Sequence, residues 1–123
     1  MYYNNNVVKS AMSSGIQWDM VMHFVNQEND AEGNLFDVRK QNIDRHMGTL
    51  TLTGKNNNDK VQNIYDLEGN CREYVAEKNN ISRPFVCRGG NYNEDSSFVA
   101  SLRDSDYGNG NSYKTFRPTL YMM

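Results

Sequence analysis

The chain has 123 residues, and because domains usually hold about 100 to 150 residues, we expect a single domain over residues 1–123. Apolar residues make up 37% of the chain and the net charge is -2 at pH 7, so a modest core with long polar loops is expected. The charge argues against direct nucleic-acid binding, and no apolar run approaches the roughly 20 residues of a membrane span.

The first predicted element is an amphipathic helix from about Gly15 to about Asn26. The apolar spacing i, i+3, i+4, i+7 is met by Trp18, Val21, Met22 and Val25. Ser14 followed by Gln17 fits a capping box at the helix start. Residues 27–33 are acidic and rich in turn formers, so they are predicted to form a loop.

Short strands are predicted for the rest of the chain. The alternation from Thr49 to Thr53 indicates a strand that ends at Gly54. Between residues 64 and 86, apolar residues are separated by Gly-Asn and Asn-Asn pairs, which suits several strands joined by turns. The last predicted segments are a strand over Phe98–Arg103, a loop over Asp104–Tyr113 and a strand over Thr115–Tyr121.

Three short motifs follow one another in the C-terminal half. They are Gly69-Asn70-Cys71-Arg72-Glu73-Tyr74, Arg88-Gly89-Gly90-Asn91-Tyr92 and Phe116-Arg117-Pro118-Thr119-Leu120-Tyr121. This order resembles the formylglycine-generating-enzyme (sulfatase-modifying factor) superfamily, in which a Gly-Asn-x-x-Glu-Trp box, an Arg-Gly-Gly-Ser-Trp/Tyr box and a terminal Gly-Phe-Arg segment recur. Tyr74 stands here in the place of the Trp, and Asn91 in the place of the Ser. The resemblance implies an α+β, C-type-lectin-like fold with short antiparallel strands, long polar loops and one main helix.

Within that superfamily the chain resembles the variable proteins of phage and bacterial diversity-generating retroelements. Those proteins end in the same Phe-Arg-Pro/Val-x-Leu-Tyr phrase, and they are binders rather than catalysts. Members of the superfamily have further strands and a helix before the Trp-bearing helix. The resemblance therefore implies a lectin-like domain that is shortened at its N-terminus and of phage or mobile-element origin.

The cysteines give no support to enzyme activity. In the formylglycine-generating enzymes, catalytic cysteines follow the Arg-Gly-Gly box by a few residues, whereas residues 93–97 contain none here. A thiolate nucleophile or copper ligand is thus missing from this position. Cys71 and Cys87 each precede an Arg in a predicted strand. Two interpretations stay open for them: a disulfide or redox pair, or two small apolar residues that face each other.

Neither a metal ion nor another cofactor is expected. His23 and His46 lack the spacing of a metal site. Asp104, Asp106 and Asn109 superficially follow the spacing of a calcium loop, but the terminal Glu of such a loop is missing.

One group of residues is expected to hold the scaffold: Trp18, Glu73, Arg88, Arg103 and Arg117. A guanidinium group can bind several backbone carbonyls or a buried carboxylate at once, and Glu73 is the expected carboxylate partner of these arginines.

The predicted binding residues lie just after the Arg-Gly-Gly box and in the segment 104–113. Every residue of that segment is Asp, Ser, Tyr, Gly or Asn, residue types that are all reachable by changing adenines in an Asn codon, the substitution route that the retroelement proteins use for diversification. Tyr supplies rigid contact area and Ser, Gly and Asn adaptable hydrogen bonds, although a merely solvated loop has a similar composition. The predicted partner-binding residues are Asn93, Glu94, Asp95, Asp104, Asp106, Tyr107, Asn109, Asn111 and Tyr113.

These residues predict an acidic surface edged by aromatic rings, and hence a protein partner with a basic surface. The expected function is a non-enzymatic protein-binding module, either a small intracellular antagonist of a host defence protein, such as a nucleic-acid-processing enzyme, or a diversified receptor-binding domain. Glycan binding is a weaker alternative that depends on the scaffold alone. The first residues lack the features of a signal peptide, so the host cytoplasm or the virion is the expected location. The low apolar content leaves open a homodimer.

Overall fold

A computed structural model describes residues 8–26, 48–55, 57, 60–67, 69–94 and 101–122. The chain is α+β, with one helix and several short strands in the described ranges. The elements are β1 (Val8–Met12), α1 (Gly15–Asn26), β2 (Lys60–Val61), β3 (Ile64–Tyr65), β4 (Arg72–Lys78), β5 (Phe85–Arg88), β6 (Asp104–Asp106), β7 (Lys114–Phe116) and β8 (Pro118–Met122).

The helix α1 has the predicted bounds and the predicted cap. The Ser14 backbone N–H donates to Gln17 Oε1 at 2.8 Å, and the Gln17 N–H donates to Ser14 Oγ at 3.2 Å. The capping box is therefore confirmed, and it satisfies two amide groups at the helix start. Across the described ranges, no helix combines the length and apolarity needed to cross a membrane.

A four-stranded mixed sheet lies beside the helix, with the strand order β6-β5-β4-β7. Strand β5 is antiparallel to both β4 and β6, whereas β7 runs parallel to β4. A separate antiparallel pair joins β1 to β8, so the two ends of the described chain lie side by side. Because side chains alternate along a strand, Val75 and Val86 share the face that packs on the helix, and Tyr74 and Cys87 share the opposite one. We call the latter the outer face.

The core lies between α1 and the face of the sheet that packs on the helix. Its buried members are Trp18, Met22, Val25, Val61, Leu67, Val75 and Val86. Full burial of one such aliphatic side chain is worth about 1.5 to 3 kcal/mol, so this cluster stabilises the packing of α1 against the sheet. The helix side away from the core exposes Ile16, Met20 and Phe24.

The residues predicted to hold the scaffold have partners that link distant elements. Arg117 binds the buried Glu73 carboxylate through two nitrogens, Nε to Oε2 at 2.9 Å and Nη2 to Oε1 at 2.5 Å. Arg88, whose side chain is fully buried, donates to Asp19 of the helix at 2.5 Å. Arg103 also donates to Asp19. Glu73 is thus the partner of Arg117, whereas Arg88 and Arg103 bind Asp19, which no sequence pattern indicated as their partner.

Several predicted strands differ from the structure. Residues 49–53 form no strand, because the Asn70 side chain occupies the backbone N–H and C=O of Thr51, each at 3.0 Å. In the predicted loop Asp104–Tyr113, the first three residues form β6 against β5. Of the predicted strand over 98–103, residues 98–100 lie outside the described residues and 101–103 are not in a strand. The terminal strand is interrupted at Arg117 and becomes β7 and β8.

Candidate functional site

The structure brings most of the predicted binding residues together around the outer face of the sheet. Asp104 and Asp106 lie on the edge strand β6 and share this face with Tyr74 and Cys87. Glu94 reaches the same face through Arg72 of β4. Asp95 and His46 lie outside the described residues. The structure therefore does not test the binding role predicted for Asp95 or the prediction that His46 binds no metal ion.

Asp106 is the centre of one polar cluster on this face. Its Oδ1 accepts hydrogen bonds from the Tyr74 hydroxyl and from the Gly108 N–H, both at 2.7 Å. Its Oδ2 lies 2.5 Å from Lys114 Nζ. Burial raises the pKa of Asp106, but the hydrogen bonds from Lys114, Tyr74 and Gly108 outweigh it, and the net pKa is lowered. The carboxylate therefore stays ionised and ties β6 to β4 and β7.

Arg72 is the centre of a second cluster. Its guanidinium forms salt bridges with both Glu94 and Asp104. The same Glu94 carboxylate accepts a hydrogen bond from the Asn91 N–H at 2.9 Å, which fixes the turn after the Arg-Gly-Gly box. In this turn the Asn93 N–H donates to Asn91 Oδ1 at 2.8 Å, and the Asn93 side chain is exposed.

The two clusters change the charge predicted for this surface. Glu94 and Asp104 share the guanidinium of Arg72, and Asp106 is paired with Lys114, so two cations of the same chain offset most of the charge of these three carboxylates. Paired and largely buried carboxylates project little field toward a partner. The observed contacts of these three residues are within the fold, so the surface they form is less acidic than the sequence predicts.

The segment 107–113 extends from the outer face and is attached to it near both ends. Asp106 binds the Gly108 N–H, and Lys114 Nζ donates to the Asn109 carbonyl at 3.0 Å. Asn111 Oδ1 accepts from the Tyr113 N–H at 3.2 Å, which closes a local turn. The Tyr113 ring lies 5.9 Å from Lys114 Nζ. The segment is therefore attached to the sheet near both ends, while residues 107–112 are exposed to solvent.

Tyr107 is the side chain of this segment that is best placed for contact with a partner. The residue is 59% exposed, and the Arg83 guanidinium stacks over its ring at 4.7 Å from the centroid. The residue after it, Gly108, has a φ of +87° and lies so close to the Phe85 ring that a Cβ there would overlap it. The close approach of Gly108 thus places Tyr107 at the edge of the β4–β5 hairpin.

An open groove of about 920 Å³ lies next to Tyr107. It runs along the β4–β5 hairpin, and its lining is mainly apolar, with Met12, Tyr74, Ala76, Ile81, Pro84 and Phe85. The Tyr74 and Phe85 rings meet edge to face at 6.1 Å between centroids, and Ala76 lies on the same strand face two residues after Tyr74. We call this feature the hairpin groove. Its size falls in the range of roughly 300 to 1,000 Å³ that is typical of ligand sites.

Both cysteines are free thiols. Tyr74, not Cys71, lies opposite Cys87 in the β4–β5 ladder, so the two cysteines do not face each other. Burial, with a smaller effect of Asp106, raises the pKa of Cys87 to about 12. Burial also raises the pKa of Cys71, whose Sγ lies 3.7 Å from the Ser112 carbonyl. Both thiols are therefore protonated at neutral pH.

The three residues considered for calcium do not form a ligand set. Asp104 binds Arg72, Asp106 binds Lys114, and the Asn109 carbonyl accepts from the same Lys114. Among the residues that the structure describes, no group of three or more His, Cys, Asp or Glu side chains is arranged to hold a metal ion.

Sequence reasoning missed Arg72, Lys114 and the hairpin groove. Their signal was present in the alternation of β4, where Arg72, Tyr74 and Ala76 occupy every second position. The alternation alone does not predict that these residues lie together, because only the parallel pairing of β7 with β4 brings Lys114 beside Arg72.

Comparison with known proteins adds no relative. The chain matches no family model, no curated protein and no solved structure.

Proposed function

We propose that this chain is a non-catalytic protein-binding domain on a C-type-lectin-like scaffold, and that Tyr107 and the segment 107–113 form the centre of its contact surface. The observation that supports this most strongly is the exposure of Tyr107 on a segment that Asp106 and Lys114 attach to the sheet. A rigidly held, exposed Tyr loses little entropy on binding and offers a large amphipathic area.

Contacts between the sequence boxes support the scaffold. The Gly69 N–H of the Gly-Asn box donates to the Gly89 carbonyl of the Arg-Gly-Gly box at 2.6 Å, and the Tyr92 N–H donates back to the Asn70 carbonyl at 3.0 Å. Arg117 of the terminal box binds Glu73 of the first. Residues that resemble the superfamily boxes are thus neighbours in space as well as in order.

The protonated state of the thiols supports a non-catalytic role. A nucleophilic cysteine needs a lowered pKa, whereas both cysteines here have raised pKa values. The carboxylates of the outer face bind Arg72 and Lys114, which leaves no described acid on this face poised to exchange a proton with a substrate.

The pairing of the acids also bears on the kind of partner. Mimicry of nucleic-acid charge needs open carboxylates, and those of Glu94, Asp104 and Asp106 are paired within the chain. We therefore propose recognition through the Tyr107 ring and the neighbouring amide side chains of Asn109 and Asn111. A phage or mobile-element origin and an antagonist role are proposed from the resemblance alone.

The experiment that tests this proposal is affinity capture from a lysate of the producing cells, read by mass spectrometry. Three proteins are compared: wild type, Tyr107→Ser, and the control Tyr121→Ser. Tyr121 lies on β8 and is also exposed, so its replacement removes the same kind of surface from another place. Each protein found in the wild-type capture is then purified and titrated against the wild type and the two variants.

We expect one partner that binds wild type and Tyr121→Ser alike and Tyr107→Ser at least about tenfold more weakly, as is typical for the loss of a central aromatic contact. Equal binding of all three proteins would place the interface elsewhere and overturn the proposed surface. The absence of any captured protein would overturn the protein-binding function itself.

A further inference from the structure

We propose that the hairpin groove binds a segment of the partner protein in which one or two apolar side chains are flanked by acidic residues. This inference rests on the proposed protein-binding function and specifies the chemistry of the partner. It begins from the lining of the groove, in which Ala76 and Gly108 are small residues among larger apolar ones. An open groove with such a lining accepts an apolar side chain from outside.

The apolar residues at this groove are open to solvent. Ile81 in the hairpin turn is fully exposed, and Phe85 and Met12 are each more than one third exposed. All three line the hairpin groove, and exposed apolar surfaces of this kind, bordered by polar residues, are typical of interaction sites.

The charges at the rim define the second property of the partner. Lys78 and Arg83 lie at the two ends of the hairpin turn, and both are exposed. Neither forms a salt bridge with a residue that the structure describes. Glu77, the acidic residue of the lining, is instead paired with Arg103 at 2.9 Å.

The open charge around the groove is therefore positive, although the chain as a whole is negative. Charge complementarity then favours acidic residues on either side of the inserted apolar side chain. This is the opposite sign from the basic partner predicted from the sequence. The difference arises because three of the acids on which that prediction was based, Glu94, Asp104 and Asp106, are paired with Arg72 and Lys114 within the fold.

A library of random dodecapeptides displayed on phage tests the inference even while the natural partner is unidentified. Selection on wild-type protein is expected to enrich peptides with an apolar residue between acidic ones. An enriched peptide is then synthesised, and its affinity is measured for wild type, for Ala76→Tyr and for Leu52→Tyr. Ala76 is exposed on a strand, so a Tyr there fills the groove without disturbing the core. Leu52 is an exposed apolar residue outside the groove and serves as the control.

The expected result is at least about tenfold weaker binding to Ala76→Tyr and unchanged binding to Leu52→Tyr. A charge reversal examines the rim: the double variant Lys78→Glu, Arg83→Glu is expected to lose the acidic peptide and to gain the same peptide with lysines in place of its acids. Enrichment of peptides without acids, equal binding to Ala76→Tyr, or no enrichment would each overturn the inference.

Failure of the groove and failure of the proposed function are distinguishable. If a partner is captured through Tyr107 and also binds Ala76→Tyr as tightly as wild type, the groove inference is wrong and the protein-binding function stands. If no partner is captured, the function is wrong whatever the peptides do.

Discussion

Arg117 and Glu73 are 44 positions apart in the chain, yet they form a two-point ion pair, with Arg117 Nε 2.9 Å from Glu73 Oε2. Arg117 Nη2 also donates to the Tyr65 carbonyl at 2.9 Å. A single guanidinium thereby joins β3, β4 and the junction between β7 and β8. A planar group with several fixed donors suits this position, whereas an ammonium group does not.

We predict from this geometry that Arg117→Lys destabilises the fold by about 2 to 3 kcal/mol, because the buried Glu73 carboxylate loses one of its two bonds and the Tyr65 carbonyl loses its donor. The change is measured by urea unfolding, monitored through the fluorescence of the buried Trp18, which is the one tryptophan of the chain. Lys78→Arg, a conservative exchange at an exposed site, is expected to stay within about 0.5 kcal/mol of wild type. Equal stabilities for wild type and Arg117→Lys would contradict the proposed role.

The sequence was sufficient to predict features that depend on residues close together in the chain. The α1 helix follows from the spacing of Trp18 and its apolar neighbours and from the Ser14–Gln17 cap, so both bounds were predicted correctly. The backbone of Gly69 and Asn70 is left-handed, with φ of +80° and +55°, a conformation that Gly and Asn adopt more readily than most other residues.

Features that depend on long-range pairing were not predictable in the same way. The alternation from Thr49 to Thr53 is typical of a strand, but Asn70 bonds the Thr51 backbone groups that a neighbouring strand would need. Asp104 and Asp106 were predicted to lie in a loop because Asp is rare in strands. Their position on an edge strand is stable because Arg72 and Lys114, from other strands, neutralise them.

The second prediction concerns Gly89, the first glycine of the Arg-Gly-Gly box. Its φ is +88°, and a Cβ there would lie 3.0 Å from the Leu67 carbonyl oxygen and 3.4 Å from the Trp18 ring. We predict that Gly89→Ala costs about 2 to 3 kcal/mol through backbone strain plus this contact.

Gly54→Ala is the matched control, because Gly54 has a φ of +79° and no atom within 4 Å of the added Cβ. It is expected to cost only the strain, about 1 kcal/mol. If both variants lost the same stability, the contact with Leu67 and Trp18 would have no role.

The third prediction concerns thiol reactivity. Because the pKa of Cys87 is about 12 and its side chain is fully buried, its reaction with a disulfide reagent near neutral pH is expected to require unfolding. Cys71 is partly exposed and is expected to react in the native state, slowly because its pKa is also raised. Spectroscopic thiol titration of wild type and Cys71→Ser separates the two. Rapid native labelling of Cys71→Ser would show that Cys87 is accessible, contrary to the structure.

The last prediction concerns the pH dependence of stability through Asp106. Its pKa is lowered in the folded state, so the folded protein holds the carboxylate ionised more strongly than the unfolded chain does. The resulting stabilisation is fully present above the unfolded pKa of about 3.9 and is lost as the pH falls through the lower folded pKa. At neutral pH, Asp106→Asn is expected to be less stable than wild type by about 2 kcal/mol, since Lys114 and Tyr74 lose a charged partner.

Urea unfolding of both proteins from about pH 7 to about pH 2 measures the difference in the free energy of unfolding. The difference is expected to stay constant down to about pH 5 and to shrink toward the acid end, because protonation of Asp106 in wild type removes the same charge that the Asn variant lacks. The other carboxylates are common to both proteins, so their titration cancels in this comparison. A difference that stayed constant down to the lowest pH would mean that Asp106 contributes through its neutral hydrogen bonds, and that the charge of Lys114 is not what holds the segment 107–113 on the sheet.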